Sequence, residues 1–169
     1  MLYDLDQLKE LARTNLAIAQ ENLKRDGFVQ TCGLVWTHLG LSHVVSMRFE
    51  SLDEKRRNQE AFRVFLRQSN ALAAAVIMEA WIKQANPVEP IDVTKSIEDM
   101  PGRQDAIVLE LRSALACFGL VQVFSRNESV LTMKEPVEID HPTFWTSEWL
   151  DGVWTDSQIS QTGTVHSAS

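Results

Sequence analysis

The sequence lacks the short motifs by which common enzymes hold phosphate or activate a nucleophile. Its 7 glycines include neither a Gly-x-Gly pair nor a Walker pattern, so no phosphate-binding loop is expected. It has no Gly-x-Ser-x-Gly elbow, and neither of its 2 cysteines stands in a polar, positively charged setting. These absences argue against a hydrolase, a kinase or a dinucleotide enzyme of a common type.

The sequence is also short of positive charge and of long apolar runs. Its 16 Lys and Arg residues against 23 Asp and Glu give a net charge of −7, which argues against binding to nucleic acid. No apolar run approaches the ~18 residues of a membrane span. The first residues lack the basic and apolar regions of a signal peptide. We therefore expect a cytoplasmic protein that binds neither nucleic acid nor membrane.

Cysteine and histidine are too scattered to predict a metal site. Cys32 and Cys117 each lie within an apolar, strand-like run, as buried reduced thiols do in a reducing compartment. A disulfide between them is the alternative that the sequence leaves open. The spacing of Cys32, His38, His43 and His141 matches no zinc pattern, so no metal and no cofactor are expected.

Two amphipathic helices are predicted, each with a clear start. Asp4 and Gln7 form a capping pattern before leucines at helical spacing, and Gly27 suits the left-handed position after the helix. Ser51 and Glu54 match the Ser-x-x-Glu capping box of a second helix. At 169 residues with 44% apolar composition, the chain is long enough for one domain with a substantial core.

The remaining apolar segments predict an antiparallel sheet. Alternating and β-branched residues favour strands at 28–37, 43–50, 72–82, 106–111 and 117–124, with a short last strand at 130–134. The predicted fold class is α+β: a single domain with an antiparallel sheet of about five strands and two main helices, in the order α-β-β-α-β-β-β, which counts the five longer strands. The simplest arrangement places both helices on one face of the sheet. Residues 83–104 form a long loop punctuated by prolines.

The chain changes character after Pro136. We expect an α+β domain over 1–136, an aromatic segment over 137–156 and a disordered Ser/Thr/Gln-rich tail over 157–169. Trp145 and Trp149 are one helical turn apart and would share a face. They either fold back over the domain's own apolar surface or anchor a partner or second subunit. The sequence leaves both alternatives open.

Three acidic residues, Glu79, Asp105 and Glu110, are the first candidates for chemistry. Carboxylates on neighbouring strands can hold a divalent metal or act as an acid–base pair. The alternative is structural: a partly buried Glu79 paired with Arg103, whose bidentate fork suits a carboxylate. We favour the structural pair because no motif supplies a nucleophile or a phosphate cradle. Glu79 and Asp105 are therefore only weak catalytic candidates.

The segments Glu-Ala-Trp at 79–81 and Pro-Gly-Arg at 101–103 resemble a pattern in a group of small proteins from bacterial, plasmid and phage genomes. In that pattern a buried strand ends in Glu-Ala-Trp, a variable loop with proline follows, and Pro-x-Arg leads into the next strand. The resemblance covers residues 50–135. Gly102 and Gln104 stand where the family has Asp and Glu, which removes two carboxylates from the loop. The family's function is not known, so the resemblance implies a cytoplasmic protein of mobile-element origin but no activity.

These features predict a non-enzymatic protein-binding or accessory protein of bacterial or phage origin. Its partner is another protein or a second copy of the chain in a homodimer. The predicted binding residues are aromatic and cationic side chains of the kind that dominate interfaces: Trp81, Arg103, Trp145 and Trp149. The alternative is a metal-dependent hydrolase or small-molecule-binding enzyme that uses Glu79 and Asp105.

Overall fold

The computed structural model describes residues 2–83, 91, 94–96, 99–140 and 148–154. Within these residues, two α-helices and seven β-strands follow one another in the order α-β-β-α-β-β-β-β-β. They are α1 Leu5–Asp26, β1 Cys32–Thr37, β2 Gly40–Ser46, α2 Leu52–Gln68, β3 Ala73–Ile82, β4 Gln104–Ser113, β5 Cys117–Asn127, β6 Val130–Met133 and β7 Val137–Asp140. The predicted α+β class is confirmed, and the sheet has more strands than the sequence predicted.

Local capping sequences set the starts of both helices. The Asp4 carboxylate accepts a hydrogen bond from the Gln7 N–H at 2.9 Å, and the Gln7 side chain accepts one from the Asp4 N–H at 3.0 Å. Gly27 follows α1 with a φ of 80°, a left-handed conformation that glycine adopts without strain. The Ser51 hydroxyl accepts from the Glu54 N–H at 3.1 Å and so caps α2. The predicted starts of both helices are confirmed.

One antiparallel sheet in the order β2-β1-β3-β4-β5-β6 forms the centre of the molecule, and β7 pairs with β5 beside β6. β6 pairs with residues 124–127 of β5 and β7 with residues 118–121, so these two short strands share one side of β5. The chain after Pro136 therefore re-enters the sheet. The sequence does not predict β7 because an alternation over four residues is too short to recognise.

Each face of the sheet is covered by one helix, so the prediction that both helices lie on one face is wrong. Leu16 of α1 packs in one cluster with Ala75 and Ile77. Phe62 of α2 packs in the other cluster with Val76. The reason is that β3 and β4 are apolar on both faces, and a strand of this kind requires cover on both sides.

Residues 148–154 return to the core on the α2 face. Trp149 is fully buried there, with its ring centroid 6.5 Å from that of Phe49. Trp154 donates from Nε1 to the carbonyl oxygen of Ala71 at 2.9 Å. Trp149 therefore covers the domain's own sheet, and a fully buried ring cannot also serve as a surface anchor. Trp145 and the predicted disordered tail lie outside the described residues.

An ion-pair network fixes this segment to the sheet. Arg112 of β4 binds the Glu110 carboxylate at 2.8 Å and the Asp151 carboxylate at 2.6 Å. Glu110 is fully buried, and a buried carboxylate persists when it is paired. Burial lowers the pKa of the Arg112 guanidinium, but the charges and hydrogen bonds of Glu110 and then Asp151 outweigh this effect and raise that pKa overall. Glu110 thus has a structural role.

We predict that Trp149→Ala lowers the free energy of unfolding by about 3–5 kcal/mol, because it leaves a large cavity in the core. Trp149→Phe should lower it much less, since the indole N–H has no hydrogen-bond partner among the described residues and its loss leaves no group unpaired. Urea denaturation of both variants measures this difference. Trp81→Ala is the control because that ring is 42% exposed. Equal midpoints for Trp149→Ala and the wild type would show that the ring is not in the core.

Candidate functional site

A cluster of charged and aromatic side chains lies on the α1 face of the sheet, beside the C-terminal end of α1. It consists of Glu79, Trp81, Arg103, Asp105 and Arg126, and we call it the sheet-end site. Successive strand residues alternate between faces, so Glu79 and Trp81 share the face of the β3 residues that pack on α1. The strand register places Asp105 directly opposite Trp81. Three neighbouring strands therefore contribute to one surface.

Glu79 is held by groups from two other parts of the fold. Its Oε1 pairs with Arg126 of β5 at 3.0 Å, and its Oε2 accepts the Val29 N–H at 3.0 Å. Arg126 also donates to the Gly27 carbonyl oxygen at 2.7 Å, at the end of α1, where a cation is favoured. The Glu79 carboxylate thus ties β3 and β5 to the chain that leaves α1.

Arg103 has a different partner from the one predicted. Its guanidinium lies over the Trp81 ring, 4.6 Å from the centroid, whereas Glu79 pairs with Arg126. The expected Glu79–Arg103 pair is therefore wrong. The physical reason is the register: Trp81 faces Asp105, so Arg103 lies beyond Trp81 and away from Glu79. The structure does bring together Trp81 and Arg103, two of the predicted binding residues.

Asp105 lies between two aromatic side chains. The register aligns it with Trp81 on β3 and with Phe124 on β5, and Arg126 lies over the Phe124 ring at 4.8 Å. The carboxylate is thus flanked by two arginine–aromatic stacks. Glu79 and Asp105 are diagonal neighbours on β3 and β4, a relation in which Cα atoms are about 7–8 Å apart. They are near enough to share a ligand, although both oxygens of Glu79 already accept hydrogen bonds.

A groove of about 440 Å³ opens beside the sheet-end site. Three basic side chains, two hydroxyl groups and one carboxylate line it: Arg103, Asp105, Ser125, Arg126, Thr132 and Lys134. The chain as a whole carries a net charge of −7, so this concentration of positive charge is a local reversal of sign. Because the three cations outnumber the one carboxylate, the groove favours ligands of negative charge.

The cysteines and histidines do not assemble into a site. Cys32 and Cys117 are half-buried and are not joined by a disulfide, and burial raises the pKa of the Cys32 thiol. The His43 ring packs edge-on against Phe65 at 5.0 Å, and His141 lies outside the described residues. Among the residues that the structure describes, no group of three or more His, Cys, Asp or Glu could hold a metal ion.

No family model, curated protein or solved structure matches the chain. The resemblance of residues 79–81 and 101–103 to a bacterial and phage pattern therefore stays a prediction. None of the described helices is long and apolar enough to cross a membrane. The function has to be inferred from the geometry of the site.

Sequence reasoning missed Arg126 and Lys134. The sequence predicts a strand that ends at residue 124, whereas β5 continues to Asn127 and the turn follows, with Glu128 at a φ of 55°. The burial pattern of β5 stops alternating after Phe124, since residues 125–127 are all exposed, so no apolar pattern marks Arg126 as a residue of the α1 face. Lys134 follows β6 and reaches the groove only through the register, which no local pattern reveals.

We predict that Arg126→Ala lowers the free energy of unfolding by about 1–2 kcal/mol, because it removes hydrogen bonds to a carboxylate and a helix-end carbonyl at a partly exposed position. Arg103→Ala removes a cation–π contact that contributes about 0.5–1 kcal/mol at an exposed site. Chemical denaturation of the two variants under one set of conditions gives both losses. A loss below about 0.5 kcal/mol for Arg126→Ala would contradict its pairing with Glu79.

Proposed function

We propose that this chain is a non-enzymatic protein-binding protein that acts as a homodimer and binds an acidic segment of its partner at the sheet-end site and the adjoining groove. One observation carries the proposal. Trp81 is 42% exposed under a stacked Arg103, beside a groove with three basic side chains on a chain of net charge −7.

The pairing of Trp81 with Arg103 supports a binding role. Tryptophan and arginine are the residues most enriched among those that carry the energy of protein interfaces. An arginine stacked on an aromatic ring loses little further freedom when its planar donors meet a carboxylate. The ring offers apolar contact area and the guanidinium adds positive charge. Together they form an anchor that is already ordered before a partner arrives.

The charge around the groove supports an acidic partner segment. Arg103, Arg126 and Lys134 contribute positive charge, and the hydroxyls of Ser125 and Thr132 offer further hydrogen bonds. Acidic residues outnumber basic ones in the chain as a whole, although α2 carries five cations against three carboxylates. The excess of cations at the groove attracts an acidic segment. This charge distribution raises the rate and specificity of association more than it raises the affinity.

The alternative enzyme would use Glu79 and Asp105 to hold a metal ion. The contacts of Glu79 favour the binding function instead, since Arg126 and the Val29 N–H occupy its two oxygens. A metal ion there would lie beside the Arg126 cation that already pairs with Glu79, and this cation weakens the attraction of the carboxylate for a second cation. A carboxylate engaged in this way acts first as a structural tie between strands and helix end.

We predict that Mg²⁺, Mn²⁺ and Zn²⁺ leave the melting temperature of the purified protein unchanged, because a ligand stabilises a fold only when it binds the folded state. Thermal-shift measurements with each ion test this. A rise in melting temperature that disappears in both Glu79→Gln and Asp105→Asn would overturn the binding proposal in favour of the metal-dependent enzyme.

We predict that Trp81→Ala and Arg103→Ala each weaken partner binding by at least about tenfold, as loss of an interface anchor does. The wild type would first be used to capture and identify the partner, and affinities would then be titrated with purified components. Leu115→Ala is the matched control, since Leu115 is 52% exposed and lies outside the groove. Affinity should also fall as salt is raised. Equal affinities for all variants, or a loss with the control as well, would contradict this site.

A further inference from the structure

The strand β2 forms an edge of the sheet whose only usual protection is a bulge. It pairs with β1 on one side, and no described strand pairs with its other side. Exposed edges are normally protected by charged residues, by proline, by short length or by a β-bulge. β2 has the last of these, because Ser42 has no register partner on β1. β2 has seven residues, Gly-Leu-Ser-His-Val-Val-Ser, and none is proline, acidic, lysine or arginine. Its outer N–H and C=O groups are a ready template for another strand.

The side chains on the α1 face of this edge are apolar and exposed. Leu41 is 53% exposed and Val44 is 65% exposed, and Ile18 of α1, at 54%, lies across a groove from them. This edge groove has a volume of about 400 Å³, and none of its twelve lining residues is charged. Charged residues make up 23% of the sequence, so the uncharged lining sets this surface apart from the rest of the protein.

The opposite edge of the sheet differs in both respects. It consists of β6 and β7, each only four residues long, and β7 carries Glu138 and Asp140. Short strands and charged side chains both discourage pairing between sheets. Among the described residues, one edge is therefore protected and the β2 edge is left unpaired, and an unpaired edge is a template for an occupant.

We propose that this occupant is a second copy of the chain, whose β2 pairs antiparallel with the β2 of the first. The inference rests on the self-association in the proposed function and names its interface. In a two-fold interface residue i meets residue j and residue j meets residue i, and residues near the axis meet their own counterparts, so a charge near the axis would face a like charge. An uncharged strand beside an uncharged groove satisfies this requirement on a chain that is otherwise strongly acidic.

Such a pair would satisfy the outer backbone groups of β2 and cover its exposed apolar side chains at the same time. The two-fold axis of an antiparallel strand pair is perpendicular to the sheet, so both α1 helices lie on the same side. The exposed Leu41, Val44 and Ile18 of each copy then contribute to one apolar layer above a continuous sheet. The outer backbone groups of β2 gain hydrogen-bond partners at the same time.

The decisive experiment compares Val44→Lys with Val130→Lys by analytical ultracentrifugation over a dilution series of the full chain. Both valines are exposed on edge strands, at 65% and 62%, but Val130 lies on β6. The wild type should form a dimer, and Val44→Lys should raise its dissociation constant by at least about a hundredfold because like charges face one another. Val130→Lys should leave the dissociation constant unchanged.

Hydrogen exchange of the wild type gives a second readout that needs no variant. The β2 amides should be better protected at high than at low protein concentration, whereas β6 amides should not change. A monomeric wild type would overturn this proposal together with the self-association. A dimer that Val44→Lys does not weaken, or that Val130→Lys weakens equally, would overturn the β2 interface alone. Partner binding at Trp81 is measured separately, so its failure is distinguishable from both.

Discussion

The two-sided burial of β3 is the constraint on which the rest of the structure depends. The first six residues of this ten-residue strand are buried, and the last four are not. A central strand that is apolar on both faces needs cover on both faces, and α1 and α2 provide it. Where this cover ends, polar and aromatic side chains begin. The sheet-end site is the part of β3 and its neighbours that extends beyond the buried core.

This arrangement explains why the site contains stacked and paired side chains rather than isolated ones. Trp81 lies where the helices no longer cover the sheet, so a large part of its apolar surface stays exposed to water. Arg103 covers part of that surface with its guanidinium and keeps its charge in water. Arg126 does the same over Phe124 and also holds Glu79. The margin of the core is thus closed by cations, and these cations give the groove its positive charge.

Features set by residues close in sequence could be predicted, and features set by strand register could not. The caps at Asp4 and Ser51 depend on contacts within three residues, so the sequence contains all the information needed. The partner of Glu79 depends on how β3, β4 and β5 align, and a shift of register changes every neighbour. Trp81 and Arg103 could be selected as candidate binding residues by type and position. Their stacking could not be foreseen, because the sequence does not state the alignment that brings them together.

The C-terminal aromatic residues illustrate the same limit. Trp149 is apolar enough to require cover, but sequence alone does not say whether that cover comes from its own sheet or from another molecule. The answer depends on free space on the α2 face and on the pairing of Arg112 with Asp151, which joins residues far apart in the chain. Segments whose position depends on such long-range contacts are the least predictable from local pattern.

The connection from α1 to β1 joins the sheet-end site to the edge groove. Arg126 binds the Gly27 carbonyl and Glu79 binds the Val29 N–H, while the Val29 side chain lines the edge groove. Gln30 donates to the Ser46 hydroxyl of β2 at 2.7 Å. The same few residues thus support both surfaces. Coupling between them would require that ligands favour different states of this connection. The contacts show that the same residues support both surfaces. Replacement of Glu79 should therefore disturb both the sheet-end site and the edge groove.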